Sequence, residues 1–333
     1  MRGVRLIAGS GRSGTTWVQD ALAEANGLRP VFEPLHPAVS GVGRRYAYRA
    51  LTADDDHPEL EQFLDDVCAG KRHRMWALYR QPGDRLLPSL RNFATVADAK
   101  REYRRWIKFG HDWSVLAAAG RQTIPLVKCI RANLMLDWLA RKCGCKIVLI
   151  VRHPGAVVES QFRLGRGPVW DPIPVLDRYR RDERLHELTQ GRFQPLLARR
   201  LSRIEALAAC WVIENQWAVE QAPLSGIAVV YYEQLKASPG EEWARICRVL
   251  NLPNVPSSSL TSRPSQQSSG RNTEKAVPVG NDAGWQRNLS REQVARIQGV
   301  LDEAGSVGYS MSDARSPSSS GTRSGTPLAT VSV

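Results

Sequence analysis

The sequence predicts an α/β fold, a mostly parallel central sheet flanked by helices. Two observations lead there. Short, strongly apolar runs alternate with segments of helical spacing, and a glycine-rich turn, GSGRSGTTW (Gly9–Trp17), joins the first run to the first helix. Strands linked through helices pair in parallel and are covered on both faces.

Taken in order, VRLIA (Val4–Ala8) reads as a buried strand. Thr15–Asn26 has helical spacing through Trp17, Leu22 and Ala25, and Gly27 stands where a closing glycine belongs. LRPVFEP is a second, short strand ending at Pro34. Residues 38–95 are irregular apart from a helix at Pro58–Cys68 and a Pro/Gly-rich stretch, QPGDRLLPSL. A helix is predicted over Ala97–Gly120. PLVKCI (Pro125–Ile130) is a strand, Asn133–Cys143 a helix and KIVLIV (Lys146–Val151) a strand. Pro154–Leu164 is a helix with proline in its first turn. The charged segment Leu176–Arg203 reads as a solvated helical face with a connection. Ser202–Ala222 is a long amphipathic helix, GIAVVYYEQL the last strand and Pro239–Leu250 the helix after it. Ser257–Ala283 is polar, either a plain loop or a lid. In LSREQVARIQGVLDEAG, a terminal helix, Ser290 is the cap and Gln293 completes a capping box. From Ser312 the chain is rich in Ser, Pro, Gly and Thr and is expected to be disordered.

The 42% hydrophobic share supports a core, and the net charge of +13 favours anionic partners. Arginine far outnumbers lysine, which suits a bidentate grip on phosphate-like groups but also follows from coding bias. The six cysteines have neither zinc-ligand nor redox spacing and read as reduced, mostly buried thiols. No metal site is expected. No signal peptide and no run of 18 apolar residues is visible, so the expectation is a cytoplasmic protein without a transmembrane segment.

In a sheet of this kind ligands bind beyond the carboxyl ends of the strands. The candidate chemistry therefore follows Ala8, Glu33, Lys128 and Val151. A strand feeding Gly9–Gly14 and then a helix aims several backbone N–H groups at one point, with the helix dipole behind them. Arg12, Thr15 and Thr16 add a guanidinium and two hydroxyls to this anion seat. The familiar nucleotide-hydrolase loop carries a lysine where this chain has Thr15. Farther on, Arg152 ends a strand and Ser160 follows eight residues later, about two turns into a helix.

Together these residues resemble the sulfotransferase family, whose donor is 3′-phosphoadenosine 5′-phosphosulfate (PAPS). Arg12–Trp17 matches the family's [KR]-S-G-T-T-W motif, and Arg152 with Ser160 matches its second motif. GIAVVYYEQLKASPGEEWARICRVLNLP resembles the late strand, turn and helix of the family, and GWQRNLSREQVARIQ with the later GYS its closing segment. The likeness spans roughly residues 2–310 and fades over 38–125 and 165–200. It implies a P-loop-like sulfotransferase fold: a single domain over residues 1–311, with 38–95 and 165–200 as acceptor-side insertions and 312–333 as the tail. It implies an enzyme moving a sulfuryl group from PAPS to an acceptor hydroxyl, with 3′-phosphoadenosine 5′-phosphate (PAP) as product and no metal.

By that resemblance Arg12, Ser13, Gly14, Thr15, Thr16 and Trp17 form the donor loop, and Arg152 and Ser160 bind the 3′-phosphate. Arg12 also stands where it can stabilise the leaving oxygen. Cytosolic members carry Lys-x-His after the central strand; here the stretch is Lys128-Cys129-Ile130. Lys128 is kept as a catalytic candidate, and a histidine base there is excluded. Carbohydrate-type and bacterial members are the nearer match, through a glutamate ending the second strand. VFEPLHP offers Glu33 as the base, with His36 as the alternative. SSGRN, with Gly270 and Arg271, is either a lid over the 3′-phosphate or a plain polar loop. Arg131, Ser268, Ser269 and Asn272 are lesser candidates. Trp76, Trp106, Trp113 and Trp170 either pack in the core or line an acceptor pocket. The other histidines, His57, His73, His111, His153 and His186, read as structural or exposed.

The acceptor is expected to be a glycan, a glycosylated metabolite or another alcohol. Two other classes were weighed. A P-loop kinase or hydrolase needs a lysine beside Thr15 and an acidic residue after an apolar strand, but KIVLIV leads into Arg-His-Pro. A nucleic-acid or acidic-glycan binder needs clustered basic residues, and here they are spread out.

Overall fold

The computed structural model describes residues 3–37, 41–69, 124–165, 170–263, 284–305 and 308–317. Within each apolar run, successive side chains go to opposite faces of the sheet, as strand geometry requires. In β1 (Arg5–Gly9), Leu6 and Ala8 enter one core and Ile7 the other. Strand β2 is Arg29–Phe32 and β3 is Pro125–Cys129. Strand β4 (Lys146–Val151) sends Ile147, Leu149 and Val151 to the first core and Val148 and Ile150 to the second. With β5 (Ala228–Tyr231) these strands form one sheet in the order β2-β3-β1-β4-β5.

Every pairing is parallel. Ala8 lies between Cys129 and Leu149, Phe32 beside Lys128, and Val151 beside Tyr231. The carboxyl ends of all five strands therefore share one edge, with β1 in the middle. The chain first crosses to the β2 side of β1 and later to the β4 side, so the turn after β1 sits at a topological switch point.

The helices are α1 (Thr15–Asn26), α2 (Gly41–Tyr46), α3 (Pro58–Cys68), α4 (Pro154–Arg163), α5 (Ile173–Arg181), α6 (Glu183–Leu188) and α7 (Gln194–Ala198). Then come α8 (Arg203–Gln221), α9 (Tyr232–Ala237), α10 (Pro239–Leu250), α11 (Ser258–Thr261), α12 (Gly284–Asn288) and α13 (Arg291–Ala304). On one face α1 and α10 bring Val18, Leu22, Trp243, Ile246 and Leu250 against Ile7, Val148 and Ile150. The larger core lies on the other face and includes Leu207, Trp211 and Ile213 of α8 and Ile297 and Leu301 of α13. The capping box of α13 forms as expected: the Ser290 N–H donates to Gln293 Oε1 at 2.9 Å, and the Gln293 N–H to Ser290 Oγ at 3.2 Å. Gly27 closes α1 at φ 60, a left-handed conformation natural to glycine.

Four stretches differ from the sequence reading. Asn133–Cys143 is a tight 3₁₀ turn, Asn133–Met135, followed by a wide π turn, Trp138–Lys142. At the wide end the Cys143 N–H reaches Trp138 O at 3.2 Å, and at the tight end Asn133 turns its side chain toward β1. The last strand stops at Tyr231, because YEQL begins α9. Leu176–Arg203 is not simply a solvated face: α5, α6 and α7 bury Leu176, Tyr179, Leu185 and Leu196. Helix α2 was not foreseen in the irregular region. QPGDRLLPSL and the helix expected at Ala97–Gly120 lie outside the described residues.

The chain remains packed past Ser312. Tyr309 donates to Glu233 Oε2 at 2.7 Å, and Gln234 Nε2 donates to Pro317 O at 3.0 Å. His153 Nε2 lies 2.8 Å from Asp313 O, while its ring stacks on Trp285 at 4.6 Å. Residues 318–333 lie outside the described residues. The sheet's packing has a direct test. Leu149 is fully buried at the centre of β4, so Leu149→Ala is expected to cost about 2–5 kcal/mol, read from the denaturation midpoint.

Candidate active site

Three positions of the turn after β1 leave no room for a side chain. A Cβ on Gly9 would lie 2.4 Å from Ile150 O, one on Gly11 2.7 Å from the Trp170 ring, and one on Gly14 2.6 Å from the Tyr232 ring. Gly14 also has φ 93 and stands where the N-cap of α1 would be, with no side chain capping the helix. The first N–H groups of α1 thus face the turn, where an anion is favoured. Asn133 Oδ1 accepts from the Gly9 N–H at 3.1 Å and fixes the start of the turn. Ser13 Oγ is buried and has no hydrogen-bond partner among the described residues. An anionic oxygen seated in the turn would supply that partner.

The two halves of the expected donor site meet here. Arg12 holds φ 76 and donates from Nε to Ser160 Oγ at 3.0 Å. Arg152 Nη1 donates to Arg12 O at 3.2 Å, and its guanidinium covers the Tyr232 ring at 4.4 Å. Trp211 Nε1 donates to Arg152 O at 3.1 Å and ties that strand end to α8. Burial, then the charges of Arg152 and Arg163, lower the Arg12 pKa against a weaker opposing effect of Glu159. Such a cluster of cations is stabilised by an anion between them.

Beside it lies a buried ion group. Lys128 Nζ is 2.5 Å from Glu33 Oε1, Arg131 Nη1 is 2.7 Å from Oε2, and the Ile130 N–H donates to Oε1 at 3.1 Å. Glu33 is 2% exposed and has φ 50. Burial alone would raise its pKa. Lys128 and Arg131, with hydrogen bonds from Lys128 and Ile130, outweigh burial and hold it below the ordinary value. Lys128 also lies over the Phe32 ring at 4.3 Å. In this arrangement Glu33 positions two cations, and its use as a base requires Lys128 or Arg131 to release an oxygen. His36, the alternative, is half-buried, and its N–H donates to Glu33 O at 3.0 Å.

Thr15 and Thr16 are buried at the start of α1. Trp17, expected in the donor loop, is buried: it donates to Thr261 O at 3.0 Å and meets Tyr232, the ring beside Gly14, and Trp243 edge-on. Gly270 and Arg271, with Ser268, Ser269 and Asn272, lie outside the described residues, as do Trp76, Trp106 and Trp113. Trp170 does line a narrow cleft of about 40 Å³ beside the turn, with Ser10, Gly11, Tyr48, Ile130 and Glu214. Tyr48 and Glu214 were not singled out from sequence. The available signal for Glu214 was an acidic residue in register with Leu207, Cys210 and Trp211 on a helix face that is otherwise apolar.

A family model described as "Sulfotransferase family" matches residues 6–256. The chain belongs to the sulfotransferase family. Among solved structures, the sulfotransferase resembles the "Sulfotransferase Domain from the Curacin Biosynthetic Pathway" at 17% identity and TM-score 0.39, over 80% of this chain and 78% of that one. It also resembles the "Sulfotransferase Domain from the Synechococcus PCC 7002 Olefin Synthase" at 16% identity and TM-score 0.39, over 89% and 93% of the two chains. No curated protein matches the sequence significantly. Among the described residues of this sulfotransferase, no helix is long and apolar enough to cross a membrane, and no group of acidic, His and Cys residues could hold a metal ion.

The ion group sets a test of the site's electrostatics. Glu33→Gln leaves two buried cations without their counter-charge and should cost about 3–5 kcal/mol at neutral pH. Because the folded pKa is lowered, Glu33 stabilises the fold above the unfolded value of about 4.3, and this contribution is lost as pH falls through the folded value. Denaturation midpoints measured across that acid range should show this component in the wild type and lack it in Glu33→Gln.

Proposed function

We propose that this sulfotransferase transfers a sulfuryl group from PAPS to a hydroxyl of a glycan, a glycosylated metabolite or another alcohol, by in-line displacement. The observation that carries this reading is the meeting of Arg12, Arg152 and Ser160 beside a glycine turn that presents backbone N–H groups. PAPS has two separate anionic centres, a 5′-phosphosulfate and a 3′-phosphate. The turn with Ser13, Thr15 and Thr16 suits the first, and Arg152 with Ser160 suits the second. Arg12 touches Ser160 and carries the backbone oxygen that holds Arg152, so it joins the two seats.

The chemistry asks little of the protein beyond placement and charge. The acceptor oxygen forms a bond to sulfur while the bond from sulfur to the phosphate oxygen breaks, and the electron pair stays on PAP. Arg12 and Lys128 supply positive charge close to the turn, where the leaving oxygen gains negative charge. Kinase chemistry is the second reading, and two features weigh against it. The loop has Thr15 in the lysine position, and β4 runs into Arg152, His153 and Pro154 without a carboxylate for magnesium.

Thermal unfolding with PAP, compared with ATP plus magnesium, tests the donor. PAP at 100 times its Kd should stabilise the protein by about 2.7 kcal/mol, whereas stabilisation by ATP–magnesium alone would overturn the reading. Arg152→Ala should weaken PAP binding by about 10- to 100-fold while the unliganded protein melts as before.

A further inference from the structure

We propose that Glu214 is the base of the sulfuryl transfer, taking the proton of the acceptor hydroxyl in the cleft beside the turn. This rests on the donor reading above. Helix α8 presents Leu207, Cys210, Trp211 and Glu214 to the cleft at helical spacing, and Glu214 is the acidic member of that face. The cleft is also lined by Ser10 and Gly11, the opening residues of the turn, with Gln161 donating to Gly11 O at 2.8 Å. The carboxylate is 6% exposed and, among the described residues, forms no ion pair. Tyr179 donates to its Oε1 at 2.9 Å, and the Ser10 hydroxyl is a second partner. Asn215 donates to that same Ser10 oxygen at 2.5 Å, which leaves the Ser10 proton directed to Glu214. Glu214 is thereby wired to the donor turn itself.

The contrast with Glu33 decides between the two carboxylates. Glu33 lies outside the cleft, behind the Ile130 amide, with both oxygens taken by cations or N–H groups. Glu214 lines the cleft and meets only neutral donors. Tyr48, which also lines the cleft, is held at φ 63 with its N–H on Arg131 O at 2.9 Å. A large side chain in that conformation is strained, and such strain collects at functional sites. The ionisable groups facing Glu214 are Tyr179 from α5, Tyr48 after α2, Arg131 after β3, Asp171 before α5 and Cys210 on its own helix. Burial pushes the Glu214 carboxyl up to about 7, against the hydrogen bonds of Tyr179 and Ser10 and the charge of Arg131. A base poised near the working pH is the efficient kind.

The step balances. The acceptor O–S bond forms, the S–O bond to the phosphate breaks with its electron pair left on PAP, and the hydroxyl proton ends on Glu214. The test uses the full chain with PAPS, water as the probe acceptor, and PAP release as the readout. In the wild type kcat/KM for PAPS should rise with pH to a plateau, half-maximal near pH 7, because the base of the free enzyme must be ionised. Glu214→Gln should lower kcat by about 100-fold or more and flatten that rise, with PAP-induced stabilisation unchanged. Glu214→Asp should restore part of the rate and the pH dependence. A Glu214→Gln variant with the wild-type rate and profile overturns the assignment alone, and a wild type that PAP does not stabilise overturns it together with the donor reading. Where turnover with water is too slow to measure, pH-difference infrared spectra decide. A protonated carboxyl band that titrates near neutrality and is missing in Glu214→Gln supports the assignment; its absence from the wild type overturns it.

Discussion

Like charges repel most strongly where water is scarce, yet this fold holds Arg12 and Arg152 against the same short stretch of chain. Much of the surrounding structure serves that juxtaposition. Parallel pairing of β1 with β4 brings Gly9 beside Ile150, so the residues after both strands emerge together. Three glycines let the turn pass within contact of Ile150 O, Trp170 and Tyr232. The Tyr232 ring then supports the Arg152 guanidinium from below. Without a bound anion the arrangement stores repulsion, and an anion converts the same geometry into affinity.

The two carboxylates of the site show how environment divides labour between identical groups. Glu33 is buried among cations and stays ionised; Glu214 is buried among neutral donors and hovers between forms. The first arrangement fixes positive charge at the ends of β2 and β3. The second leaves a group that exchanges a proton at little cost. Opposite shifts of neighbouring acids are a general way for one fold to hold charge in one place and move protons in another.

Much of this was legible in the sequence because the signals were local. Pro58–Cys68, Lys146–Val151 and Pro239–Leu250 appear where proline starts, apolar runs and caps placed them. The glycine turn and the distant residues it meets were legible as spacing, Arg12 with Arg152 and Ser160. The misses are tertiary in origin. Asn133 deforms its helix because its side chain is needed at Gly9, a demand from a strand far away in sequence. Glu214 was hidden because an amphipathic helix is read by its apolar positions, and the one acid among them looks like noise until the helix is docked. The segment 173–198 is so rich in charge that its buried positions, Leu176, Tyr179, Leu185 and Leu196, show only once its three short helices are packed.

The contact of His153 with Asp313 and Trp285 has a consequence for how the molecule can be divided. The proposed donor seat draws on residues near 10, near 155 and near 215, and the segment around 310 clasps the residue next to Arg152. Each half is a short stretch, but the contacts that join the halves, Arg12 to Ser160 and Arg152 to Arg12, span more than a hundred residues. A chain cut between the turn and Arg152, or before Asp313, would have to bring these contacts together again from separate pieces.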